Sequence, residues 1–247
     1  MQHETTTIDT YVITTKVDSA RARNIRAETA KLDRWSVVHF LEMDTPCTDY
    51  MGQSDSSVCV QQNLFENHQK CAQLILESGK PFGLVLESDV AFSESDLEEH
   101  MTSVVEWAYQ NHNRFDIIFI GGAYILDKSN ALNTEHVKHV LEYNSKTHAL
   151  IYSRQFCNEM VGMRWPNGHF DLWWGNHRRD LRYFASAKML ATVHHGKHTL
   201  TMNINKYLGD IIMTDSITVA NIVMYVLTIV LCILVGCICV SSLRKRR

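Results

Sequence analysis

The segment Phe82 to Leu86, FGLVL, lies between Pro81 and Glu87 without a polar side chain, and it constrains the fold more than any other stretch. A short apolar run of this kind reads as a strand buried within an α/β sheet. It ends in acids: LVLESDVAF, residues 84 to 92, sets Glu87 and Asp89 two apart at the carboxyl end of the strand, where ligands collect in such sheets. Side chains two apart on an extended segment point the same way. Both carboxylates are therefore expected to offer oxygens to one hard cation, Mn²⁺ or Mg²⁺.

Strand and helix patterns alternate around this segment. Tyr11 to Thr14 and Val37 to Leu41 read as strands, with a helix from Ala20 to Leu32 between them. Leu64, Cys71, Leu74 and Ile75 lie at helical spacing over Leu64 to Leu76, and Gly79 and Pro81 end that helix before the acidic strand. Ser95 and Glu98 form a capping box for a helix whose apolar face carries Leu97, Met101, Val104, Val105 and Ala108. Phe115 to Ile120 (FDIIFI) reads as a further buried strand, followed by Gly121 and Gly122. The polar stretch Asp127 to Thr147 reads as an excursion with a short helix over His136 to Leu141, and His148 to Lys206 as a more irregular part. Repeated β-α-β units imply a largely parallel sheet covered by helices.

Residues 1 to 215 suffice for a single α/β domain with a sizeable core. Lys and Arg number 24 against 27 Asp and Glu, and four of the bases are the terminal Arg244 to Arg247, so the rest is acidic and a nucleic-acid surface is not indicated. From Ile217 to Val240 the chain carries no charge; as a helix this run would extend about 36 Å and cross a bilayer. Residues 241 to 247 form a short basic tail. Positive-inside bias would keep that tail in the cytosol. The start MQHETTTIDTYVITT has no signal-peptide pattern, and none of the 14 Asn begins an N-x-Ser/Thr acceptor, so the catalytic domain is expected to face the cytosol. Cys47, Cys59, Cys71 and Cys157 show neither metal spacing nor a disulfide framework and read as reduced structural thiols, while Cys232, Cys237 and Cys239 fall within the span.

Taken in order, these segments resemble glycosyltransferase family 25. TYVITTKVDSARARNIRAETAKL is similar to that family's opening strand and Arg-bearing helix, and ESGKPFGLVLESDVAF to the segment leading into its Leu-Glu-Asp-Asp motif. FDIIFIGG, THALIYSRQFCNEMV and WPNGHFDLWW follow with the order and spacing of later family blocks, over roughly residues 9 to 200. Ser88 stands where the family has its middle Asp, and in VCVQQNLF, residues 58 to 65, Gln62 and Asn63 replace a Ser-His pair.

The resemblance implies a GT-A-type fold and inverting transfer of a hexose, galactose or glucose, from a UDP-sugar to a glycan, protein or lipid acceptor at a membrane. A cation held by Asp89 would neutralise charge on the leaving diphosphate, with Glu87 a direct ligand or organising the shell through water. Asp171, flanked by Phe170, Leu172, Trp173 and Trp174, is the candidate general base; its alternative role is a helix cap. Arg21 and Arg23 are candidates for the nucleotide, or members of a solvated helix face. Gly121 and Gly122 lack a dinucleotide fingerprint and suit close backbone approach beneath the sugar. His194, His195 and His198 include an i, i+4 pair, and His198 is a candidate further ligand. Two other classes stay open: a membrane-anchored interaction module that has lost catalysis, and a metal-dependent hydrolase built on the histidine cluster.

Overall fold

A computed structural model describes residues 7–14, 19–32, 36–42, 56–93, 97–127, 129–145, 148–165 and 180–193. In chain order the elements are β1 (Ile8–Thr14), α1 (Ser19–Ala30), β2 (Ser36–Glu42), α2 (Ser56–Glu77), β3 (Phe82–Glu87), β4 (Val90–Phe92), α3 (Leu97–Gln110), β5 (Ile117–Phe119), β6 (Ala123–Asp127), β7 (Val137–Ser145), β8 (Ala149–Ser153), α4 (Arg154–Gly162), β9 (Tyr183–Ser186) and β10 (Ala191–Val193). The strand expected over Phe82 to Leu86 is β3, at the heart of an eight-stranded sheet of order β2-β1-β3-β8-β5-β9-β7-β6. β4 and β10 pair separately in an antiparallel ribbon.

β1 is parallel to both β2 and β3, as two helical crossovers require. β8 then enters antiparallel between β3 and β5, while β9 lies parallel to β5. β7 is antiparallel to β9 and to β6. Six of the eight strands thus share one direction, and only β8 and β7 oppose it.

Two sequence expectations are corrected. Val137 to Ser145 is a strand rather than part of a helix over His136 to Leu141, because its backbone pairs with β9 on one side and β6 on the other. The apolar residues Val137 and Val140, three apart, imitate a helical turn, but on the strand they fall on opposite faces and join the two separate core clusters. Nor does His148 begin an irregular part: the five residues of β8 are all buried and occupy the sheet centre.

The pleat sorts side chains to two faces. Phe82, Leu84 and Leu86 join Ile8 and Val12 of β1 beneath α1 and α3, where Ile25, Leu32, Met101, Val104 and Val105 close one core. Leu97, Met101, Val104, Val105 and Ala108 of α3 are buried together, as their spacing implies. On the opposite face Tyr11, Ile13, Val85, Leu150 and Tyr152 pack against Phe65, Cys71 and Ile75 of α2 and Phe156, Cys157 and Met160 of α4. Each large aliphatic side chain so buried contributes about 1.5–3 kcal/mol. Gly83 permits this contact, because a β-carbon there would lie 2.6 Å from Ile75 Cγ1.

Candidate functional site

Odd-numbered positions of β3 face α2, so Glu87, the last residue of the strand, turns its carboxylate toward that helix. Its backbone N–H donates to the carbonyl of His148 (2.9 Å), which binds the strand end to the entry of β8. Ser88 and Asp89 then form the turn that leads into β4. The expected alignment of Glu87 and Asp89 along one extended segment is thereby corrected: the chain bends between them, and the relative direction of their carboxylates is set by the turn. Ser88 is buried and Asp89 partly so.

His68 faces Glu87 from α2. Its Nε2 lies 3.5 Å from Glu87 Oε1, and its Nδ1 lies 2.9 Å from the hydroxyl of Tyr152 on β8. His68 and Tyr152 are both 0% exposed, whereas the Glu87 side chain retains 19%. The apolar spacing of α2 contained the signal for His68, since it is four residues after Leu64 and three before Cys71 on the face that becomes buried. Tyr152 lies within the apolar run ALIY and carries no comparable mark.

Two further buried polar atoms belong to residues adjacent in sequence to this group or to its register partner. Thr14 follows Ile13, the register partner of Glu87, and Asn67 precedes His68. Among the described residues, Thr14 Oγ1 and Asn67 Oδ1 are buried and accept or donate no hydrogen bond, although Asn67 Nδ2 donates to Asn63 O (2.6 Å). Buried polar atoms usually find partners, and these two are exceptions.

Gly121 meets the chain itself. A β-carbon there would lie 1.8 Å from the carbonyl oxygen of Ala191 in β10 and 3.0 Å from His148 Nε2. His148 Nε2 is also 3.3 Å from that carbonyl. Gly122 has φ of 150°, a backbone conformation that side chains disfavour. The close approach expected at these glycines is, at Gly121, an approach of β10.

Arg23 lies on the exposed face of α1, opposite buried Ile25 and Thr29, and the backbone of Arg21 belongs to the same helix. Asp171, the histidines His194, His195 and His198, and the uncharged run 217 to 240 lie outside the described residues. Among the described residues no helix is long and apolar enough to cross a membrane, and no group of three His, Cys, Asp or Glu side chains forms a metal cluster. The carboxylates of Glu87 and Asp89 are hard oxygen donors of the type Mg²⁺ or Mn²⁺ accepts, and such ions take substrate phosphates and water as their remaining ligands. Cys71 and Cys157 are free and buried, and burial pushes both thiols far above their ordinary range.

No family model matches the chain, and no curated protein sequence does. Among solved structures, a glycosyltransferase involved in the glycosylation of the major capsid of PBCV-1 is similar at 10% identity and TM-score 0.43, covering 72% of this chain and 80% of that one. An apo UDP-glucose pyrophosphorylase matches at 11% identity and TM-score 0.39, covering 72% of both chains. The UDP-glucose pyrophosphorylase complexed with UDP-glucose matches at 10% identity and TM-score 0.40, again over 72% of both. Similarity at this level assigns no activity to the chain.

Proposed function

We propose that the chain is a glycosyltransferase that transfers a hexose from a UDP-sugar, galactose or glucose, with inversion, to an acceptor at a membrane. The observation that carries this reading is the placement of Glu87 and Asp89 at the carboxyl end of β3, in a sheet whose strands mostly share one direction, as nucleotide-binding α/β sheets require. The order of motifs resembling family 25 supports the donor class and a GT-A-type fold.

In this reading Asp89 is the direct ligand of a divalent cation, and Glu87 organises the donor side of the site. A bound cation would supply neutralisation of the charge that develops on the leaving diphosphate. Asp171 takes the proton from the acceptor hydroxyl, and its aromatic neighbours present apolar faces to the sugar ring. Arg21 and Arg23 are the candidates for the nucleotide, Arg23 from the solvent side of α1. His198 is a candidate additional ligand. The run 217 to 240 anchors the enzyme, with the catalytic domain on the cytosolic side.

Calorimetric titration of UDP-galactose and UDP-glucose into the full chain with MnCl₂ tests the reading. Binding should depend on the cation and should be lost in Asp89→Asn while the melting temperature stays within a few degrees, because the substitution keeps the size and shape of the side chain. Unchanged, cation-dependent donor binding by that variant would remove Asp89 from the site. Absence of donor binding by the native chain would leave an anchored interaction module as the better reading.

A further inference from the structure

We propose that His68 is a positioning residue for Glu87, itself held by the hydroxyl of Tyr152. The inference deepens the reading of Glu87 as part of the donor site and rests on it. Three side chains from three elements follow one another in a line: the Tyr152 hydroxyl of β8 is hydrogen-bonded to His68 Nδ1 of α2 at 2.9 Å, and His68 Nε2 approaches Glu87 Oε1 of β3 at 3.5 Å without a hydrogen bond. Only the Glu87 end reaches solvent; the other two are wholly buried.

The hydrogen-bonding capacities set the direction of the line. A carboxylate accepts only, a tyrosine hydroxyl can donate, and a neutral imidazole has one donor and one acceptor nitrogen. The Tyr152 hydroxyl is hydrogen-bonded to Nδ1, and with Nδ1 as acceptor a neutral His68 carries its proton on Nε2. That nitrogen approaches Glu87 Oε1 at 3.5 Å, an approach outside hydrogen-bond geometry that a small rotation of the partly exposed carboxylate would close. Imidazoles between a site carboxylate and a buried partner fix rotamer and tautomer together, the task of groups that support a binding site from behind.

The surroundings hold the imidazole still. Gln69, the next residue, donates from Nε2 to Met160 O (2.9 Å) and Met163 O (2.8 Å) at the end of α4, which prevents α2 from rotating about its axis. The Tyr152 ring packs edge-on against Phe156, with centroids 4.9 Å apart. A buried polar line is weak as a device for stability, since apolar residues of similar volume often serve as well. Its value lies in orientation, and it is spent on the one member that reaches solvent, at the carboxyl end of β3.

Imidazole ¹⁵N spectra of the full chain and donor titrations together test the proposal. His68 should show the Nε2–H tautomer, and its ring shifts should move in Glu87→Gln and in Tyr152→Phe. An Nδ1–H tautomer, or ring shifts indifferent to Glu87→Gln, overturns the proposal whatever the chain binds. In titrations of UDP-galactose or UDP-glucose with MnCl₂, His68→Leu should weaken affinity roughly 10- to 100-fold. His68→Gln, whose amide nitrogen can replace Nε2, should recover most of the loss, and His68→Leu combined with Glu87→Gln should be no worse than Glu87→Gln alone. Equal losses in the Leu and Gln variants, or additive losses in the double variant, overturn it. A native chain that binds no UDP-sugar defeats the proposed function, and the tautomer and its response to Glu87→Gln then decide the role of His68 alone.

Discussion

Arg182 clasps Asp116 from two directions: its Nε and backbone N–H donate to Oδ2 at 2.9 Å and 2.8 Å, and its Nη2 donates to Oδ1 at 2.7 Å. Asp116 is 3% exposed, and its own backbone N–H donates to the Arg182 carbonyl. The pair fastens the entry of β5 to the entry of β9, at the end of the sheet opposite Glu87. Hydrogen bonding by Asp116 raises the guanidinium further above its ordinary value.

Asp116→Ala removes an acceptor from the backbone N–H and side chain of Arg182, and because that side chain is 37% exposed, so that solvent takes up part of the loss, the expected cost is about 1–2 kcal/mol. Urea denaturation should show the midpoint falling with an unchanged slope. A loss under about 1 kcal/mol would mean that the pair behaves as an exposed surface bridge.

Gly121 and Gly162 should respond oppositely to alanine. At Gly121 the new methyl group collides with the Ala191 backbone, and a destabilisation of about 3 kcal/mol or more is expected. Gly162 ends α4 with nothing near its α-carbon, so Gly162→Ala should stabilise by about 0.4–1 kcal/mol through the unfolded chain. Thermal melts of the two variants check the contrast; similar melting temperatures would contradict it.

The thiols give alkaline sensitivity. Burial raises the Cys71 and Cys157 pKa above the ordinary 9.0, so the native state keeps protons that the unfolded chain releases. The unfolded state then binds fewer protons, and stability present below pH 9 is lost as pH rises toward the folded values. The slope is about 1.4 kcal/mol per pH unit for each thiol. Unfolding midpoints at pH 8, 9 and 10 should decline, and the decline should lessen in Cys71→Ala and Cys157→Ala. An unaltered slope in both variants would assign the effect elsewhere, Tyr124 being a further buried group whose pKa is raised.

Asp171→Asn should lower kcat by about 10²- to 10⁴-fold and leave donor affinity nearly unchanged, since a general base acts only as the acceptor proton moves. Steady-state kinetics beside a donor titration separate these. Collapse of donor affinity would move Asp171 from the base to the donor or cation site.

Local pattern revealed what local chemistry determines. The apolar run ending at Glu87 identified the central strand, and the spacing of Leu97, Met101, Val104, Val105 and Ala108 identified the buried face of α3. Strand β7 was hidden because Val137 and Val140 have helical spacing, and only pairing with the distant β9 decides against it. The position of Glu87 at the end of β3 was legible from the apolar run before it, but the turn over Ser88 and Asp89 was not. His68 was detectable as a polar intruder on an apolar helix face, whereas Tyr152 resembled ordinary core. The carbonyl that compels glycine at position 121 belongs to Ala191, and no nearby residue betrays it.

The antiparallel insertion of β8 governs the order in which the chain can fold. During synthesis β3 emerges and finds β1, but its other edge has no neighbour until residues 149 to 153 follow, and β5 waits for the same strand. Such long-range pairing slows folding and leaves unpaired edges exposed meanwhile. A nascent chain halted before β8 would carry Glu87 and His68 without Tyr152, with bare edges on β3 and β5 prone to foreign pairing. The contacts of Tyr152, His68 and Glu87 are thus tied to the arrival of one short segment after β3.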